Sequence, residues 1–166
     1  MDFDGFGKDT QIFFSDLANH NTKQWFEENR DRYEREVREP AEQFIMALGK
    51  RLKEEYPAIH YDTRRNGAGS LMRLHRDIRF SPDKRPYKTN PGIVFWLGEG
   101  KKTEVPGFYF HIFMDQIFFY GGQHIFSQGI LEGYRAVVAA EKQARSWEEF
   151  WMAWLYRIFP VSRNLA

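Results

Sequence analysis

The chain has 166 residues, with 24 lysines and arginines against 23 aspartates and glutamates, five histidines and no cysteine. That length can bury a core without staples, and the lack of cysteine excludes disulfides, thiolate nucleophiles and cysteine-ligated zinc while fitting a reducing compartment. Aromatic residues at 17% argue for a folded chain, no stretch reaches the roughly 18 apolar residues of a membrane helix, and MDFDGFGKDTQ lacks the bases and apolar run of a secretory leader, so a soluble cytoplasmic protein without membrane contact is expected.

Ile12, Phe13, Asp16 and Leu17 recur at helical spacing across Gln11 to Ala18, which predicts a short first helix capped by Asp9 or Thr10. Asn21 with Gln24 three residues later has the form of a capping box, so a second helix is predicted from there. Its narrow stripe of Trp25, Phe26, Tyr33 and Val37 lies among mixed charges, as on a solvated helix docked along one edge. Pro40 lacks a backbone donor and disfavours helix at Glu39, which predicts a break or kink and a restart. Ala41, Phe44, Ile45, Leu48 and Leu52 then mark a core-facing helix that stops before Pro57.

Asp62 to Ser70 contains Asn66-Gly67 and Gly69, a loop or hairpin signal. Gly67-Ala68-Gly69 resembles a phosphate-binding glycine loop only in composition, because such a loop follows a strand and opens a helix. From Leu71 to Phe80 the period becomes two, with Met72, Leu74, Arg76, Ile78 and Phe80 on one face and Leu71, Arg73, His75, Asp77 and Arg79 on the other. Ser81-Pro82-Asp83-Lys84 suits a type I turn and Pro86 keeps Arg85 extended, so a strand, a tight turn and an extended return are predicted.

Ile93 to Leu97 reads as a strand covered on both sides, and Phe108 to Met114 with Ile117 to Tyr120 as a hairpin turning at Asp115. Ser127 precedes a helix with Leu131, Tyr134, Arg135 and Val138. Ser146 with Glu149 caps a last helix whose Trp147, Phe150, Trp151, Trp154, Leu155 and Phe159 need a cover, either the core or a second copy of the chain. No repeat or linker marks a domain boundary. The expected architecture is therefore a single α+β domain over residues 1–166, a mainly antiparallel sheet with N-terminal helices packed on one face and C-terminal helices beside it.

The central stretch departs in charge from the rest. Residues 64–88 hold eight bases (Arg64, Arg65, Arg73, Arg76, Arg79, Lys84, Arg85, Lys88) against Asp77 and Asp83, leaving 16 bases and 21 acids elsewhere. Such a segment steers anions more strongly than the net charge of +1 suggests. Within it, Arg73-Leu74-His75-Arg76-Asp77-Ile78-Arg79-Phe80-Ser81 and Asp83-Lys84-Arg85-Pro86-Tyr87-Lys88-Thr89 resemble the signature of the Domain of Unknown Function 2461 family. Leu17, Asn21, Trp25-Phe26, Asn29, Tyr33 and Pro40 resemble that family's N-terminal block, and Pro106-Gly107-Phe108-Tyr109 with His111-Ile112 its later strand. The resemblance implies no activity, since the family has none assigned. It also implies a longer region after the helix of Arg135 than this chain carries, so a C-terminal truncation relative to the family is expected.

Two chemical readings of the charged face follow. Arg73, Arg76, Arg79, Lys84, Arg85 and Lys88, with Tyr87, can clamp a small anion, phosphorylated molecules included, through forked donors; alternatively Asp77 neutralises an arginine in a structural network. His75 can move a proton and Asp77 can orient an arginine, which makes them the candidate catalytic pair, with turnover itself left open. Nucleic acid is the second class of partner, with Phe80 and Tyr87 as stacking surfaces, and a structural or protein-interaction domain the third. His20, His60, His75, His111 and His124 form no ligand-spaced pair, so no metal is expected, and no cofactor is identified.

Overall fold

The computed structural model describes residues 3–65, 67–113 and 116–139. The chain parts into two compact units at Ile125 and Phe126. In the first, α1 (Lys8–Asn19), α2 (Lys23–Glu28), α3 (Arg30–Tyr33), a π-helical turn (Glu34–Arg38) and α4 (Glu39–Glu55) precede β1 (Ile59–His60), β2 (Gly92–Leu97), β3 (Gly107–Ile112) and β4 (Ile117–Gly122). The strands form one antiparallel sheet in the order β1-β2-β3-β4, so the class is α+β as expected. The second unit opens with α5 (Gln128–Ala139), where the Ile130 N–H donates to Ser127 Oγ at 3.4 Å. The predicted aromatic helix from Ser146, its proposed self-association and the turn at Asp115 lie outside the described residues.

The helix starts differ from those predicted. Gly7 precedes α1 without a side-chain cap, and Thr10 is buried instead, donating from Oγ1 to the Glu36 carbonyl at 2.5 Å. That carbonyl lies four residues before Pro40, which has no N–H to give it. The helix does not break at the proline: it widens into the π-helical turn and continues, with Pro40 in the first turn of α4 and the Glu36 carbonyl served by Thr10 in place of the missing donor. Thr22 rather than Asn21 caps α2, its Oγ1 accepting from the Trp25 N–H at 3.2 Å.

Asn21 has a longer-range task. Its Nδ2 donates to the Tyr87 carbonyl and its Oδ1 accepts from the Tyr87 N–H, both at 3.0 Å. Around this link Phe13, Phe14, Leu17, Phe26, Tyr33, Val37, Leu74 and Tyr87 form one buried cluster, with Phe26 and Tyr87 stacked at 4.3 Å. The stripe of Phe26, Tyr33 and Val37 is buried in this cluster with Trp25 packed against it, while the charged residues around it are not buried, as expected of a segment docked along one edge. On the sheet, Phe44 of α4 lies 6.4 Å from Phe95 and 5.1 Å from Phe110, ring to ring. Among the described residues the two faces of β2 are not equally covered: Ile93 and Phe95 are buried, while Val94 and Trp96 on the other face are half-buried, against the expectation of equal cover on both sides.

Arg73 to Lys88 folds as an irregular ladder rather than a full strand and return. Met72 N–H donates to Gly92 O and Val94 N–H to Ser70 O; farther on, Arg76 N–H donates to Pro86 O and Lys88 N–H to Leu74 O. The bridges Leu71 to Ile93 and His75 to Tyr87 differ in register by two residues, a step taken across Lys88 to Pro91. Alternation of burial holds from Met72 to Arg79 and ends at Phe80, whose ring is 92% exposed. Pro82 and Pro86 cannot donate to a ladder, so pairing stops at Arg76.

Candidate functional site

Past Arg76 the predicted cations are largely spent on local carboxylates. Arg79 grips Asp77 with two bonds of 3.0 and 2.7 Å, holding that carboxyl at about 2, well under the usual range. Arg85 and Arg76 converge on Asp83 at 2.7 and 2.5 Å, which with the Arg85 backbone N–H drives the Asp83 carboxyl still lower. Arg76, on the inward-facing side, thus finds its partner within the turn. Lys84 Nζ donates to the Ile78 carbonyl at 3.0 Å. These groups occupy the solvent-exposed tip, where an ion pair adds little stability. Tyr87 faces the other way, 2% exposed within the core.

Arg73 and His75 lie instead on the wall of a 350 Å³ cavity between the helices and the residue 63–75 segment. Phe26 of α2, Arg30 and Tyr33 of α3, Arg38 of the π-helical turn and Glu42 of α4 form one side; Arg64, Arg65, Gly67 and Arg73 form much of the other. Sequence reasoning missed the helical contribution, because Arg30 and Arg38 look like ordinary members of a mixed-charge helix.

Charge bookkeeping in this cavity is specific. Arg30 meets Glu27 at 2.6 Å, Arg38 meets Glu34 at 3.3 Å, Arg65 meets Glu42 at 3.1 Å and Glu34 at 3.4 Å, and Arg64 is paired with Asp62. Four carboxylates therefore serve four of the five lining guanidinium groups. Arg73 is the surplus, with no carboxylate partner among the described residues. Gly67 makes room for it: the residue has φ +79°, and a Cβ there would lie 2.5 Å from Arg73 Cγ. His75 packs edge-on against Tyr87 at 4.8 Å between ring centroids, while Asp77 does not line the cavity. The two candidate catalytic residues are thus not brought onto one wall.

Lys88 faces a separate 490 Å³ cavity, together with Met72, Val94, Lys102, Tyr109 and Tyr120. Lys102 Nζ donates to the carbonyls of Gly67 and Gly69 at 3.0 and 2.5 Å. Burial lowers the Lys102 pKa, partly offset by Asp62. The glycine loop thus presents carbonyls to a cation, the reverse of the N–H cradle a phosphate needs. Among the described residues no cluster of three histidines, aspartates or glutamates is placed to hold a metal, and no helix is long and apolar enough to cross a membrane.

The family model for a conserved hypothetical protein, DUF2461, matches residues 9–158, covering both cavities and the tip between them. No curated protein and no solved structure matches the chain.

Proposed function

We propose that this chain, which belongs to the DUF2461 family, binds a small anionic ligand, phosphorylated molecules included, in the arginine-lined cavity. The Arg73 guanidinium, without a carboxylate partner among the described residues, is the observation that carries this reading. A guanidinium presents a planar fork of donors matched to phosphate or carboxylate oxygens. Its neighbours Arg30, Arg64 and Arg65 are held by carboxylates, so they are already ordered and can offer their remaining N–H donors without losing further side-chain freedom on binding, while the uncompensated positive charge is that of Arg73. His75, on the same wall, adds ring nitrogens that can donate or accept a hydrogen bond. Binding is the function assigned; turnover is not.

Thermal denaturation with inorganic phosphate and pyrophosphate as probes tests this. A saturable rise in Tm is expected, since a ligand at a hundred times its Kd stabilises by about 2.7 kcal/mol. Arg73→Gln is expected to abolish the rise while leaving the ligand-free Tm in place. No rise with either probe, or an equal rise in Arg73→Gln, would overturn the reading.

A second reading, single-stranded nucleic acid binding, rests on the tip. Phe80 is 92% exposed with the Arg79 guanidinium 5.7 Å from its ring centre, beside Lys84 and Arg85. Tyr87 cannot serve as the second stacking surface there, because its ring is in the core. Oligonucleotide affinity that falls steeply with salt and is lost in Phe80→Ala is the expected outcome under this reading.

A further inference from the structure

The half-open face of the sheet builds a second site, independent of the arginine cavity. Its floor is a row across three strands, because Val94 is paired with Tyr109 and Tyr109 with Tyr120. Gly92, one pleat along, has no side chain to fill the space, and a Cβ there would stand 2.7 Å from Tyr109 Oη. The tyrosine hydroxyl therefore lies over Gly92, beside Gly92's register partner His111.

These residues form an ordered chain of hydrogen bonds. Asn90 Nδ2 is 2.5 Å from His111 Nε2, and His111 Nδ1 is 3.0 Å from Tyr109 Oη. An amide nitrogen only donates, so Nε2 is the acceptor and the ring proton sits on Nδ1, donated to the tyrosine oxygen. Tyr109's own proton then points elsewhere. Burial raises the Tyr109 pKa; burial, and then the Lys88 charge, lower that of His111. Both groups are neutral at pH 7, which keeps this direction of donation. Lys88 lines the same cavity and has no carboxylate partner among the described residues. Lys102 is already committed to the Gly67 and Gly69 carbonyls.

We propose that this 490 Å³ cavity binds a small organic carboxylate with an apolar tail, its oxygens held by Lys88 Nζ and the Tyr109 O–H and its tail against Met72, Val94 and Val105. One free ammonium and one neutral hydroxyl match a single negative charge better than the double charge of a phosphate monoester. The volume falls in the range of pockets that enclose small organic ligands.

Calorimetric titration of the full chain with octanoate, and with octanol as the uncharged control, tests the assignment. Octanoate is expected to bind at one site and octanol about tenfold more weakly or worse. Tyr109→Phe, which keeps the ring, and Lys88→Gln are each expected to weaken octanoate by about tenfold. Lys50→Gln, which removes an exposed charge on α4, is expected to change nothing. Nitrogen chemical shifts of His111 are expected to report the Nδ1–H tautomer with and without octanoate. Absence of octanoate binding at millimolar concentration, equal affinity for octanol, or full affinity in Tyr109→Phe would each overturn the proposal. So would an Nε2–H tautomer.

Discussion

Replacing Asn21 with alanine should cost this fold more than any other single polar substitution near the helices. His75 and Tyr87 face each other as a non-hydrogen-bonded pair, since the flanking bonds run from Arg76 to Pro86 and from Lys88 to Leu74. In such a pair the backbone groups of Tyr87 point away from His75, towards the next position in the ladder. No strand occupies it. The Asn21 amide does, giving one donor and one acceptor at 3.0 Å each, from a side chain 9% exposed and 66 residues distant in sequence. Alanine leaves a buried N–H and a buried C=O without partners, at about 1–3 kcal/mol each, so a loss of about 2–4 kcal/mol is expected once some water reaches them. With m of about 1–3 kcal/mol per molar urea, the unfolding midpoint should fall by about 1–2 M. Gln24→Ala serves as the comparison: its exposed 3.0 Å bond to Glu28 is of the i, i+4 kind, worth about 0.5 kcal/mol or less. An Asn21→Ala loss below about 1 kcal/mol would refute the argument that the amide substitutes for a missing strand.

Thr10→Val keeps the shape of a buried side chain and removes the hydroxyl given to Glu36 O; urea unfolding should show a loss of about 1–3 kcal/mol. Gly107→Ala should cost a similar about 1–3 kcal/mol in the same assay, because a Cβ there runs into the Phe95 carbonyl across the β2 and β3 pair. Burial and Lys88 hold the His111 pKa below 6.5, so the unfolded chain binds the proton first. Stability should therefore fall as pH drops below 6.5 and level off once the folded histidine also titrates, and His111→Gln should flatten that slope in urea melts at stepped pH.

Much of the scaffold was legible because local signals and burial agree. The i, i+3, i+4 series from Ala41 to Leu52 is α4, and Ala41, Ile45, Leu48 and Leu52 are buried in it. The runs at Ile93 and Phe108 are β2 and β3. Signals read one at a time misled where two distant segments compete for the same group. Asn21 has the spacing of a capping box, but Tyr87 offers it two backbone bonds, and Thr22 takes over the cap. Pro40 reads as a break, but the carbonyl it cannot serve is met by Thr10, and the helix continues.

Sequence by itself determined the class of the fold and the location of the unusual charge. Periodicity and composition act over a few residues, and the excess of bases in residues 64–88 is a count that no fold can alter. Which of those bases stays free was decided only by tertiary structure. Arg76, Arg79 and Arg85 find carboxylates within seven residues, whereas Arg73 and Lys88 are delivered into two different cavities whose other walls come from α3, α4, β3 and β4. A charge's availability depends on what chain folding brings within a few ångströms of it, and Coulomb attraction at contact outweighs the summed field of a charged stretch. Tyr109 and His111 share a face of one strand two residues apart, which alternation along the chain already places together. Asn90 joins them only when β2 and β3 pair with Gly92 opposite His111.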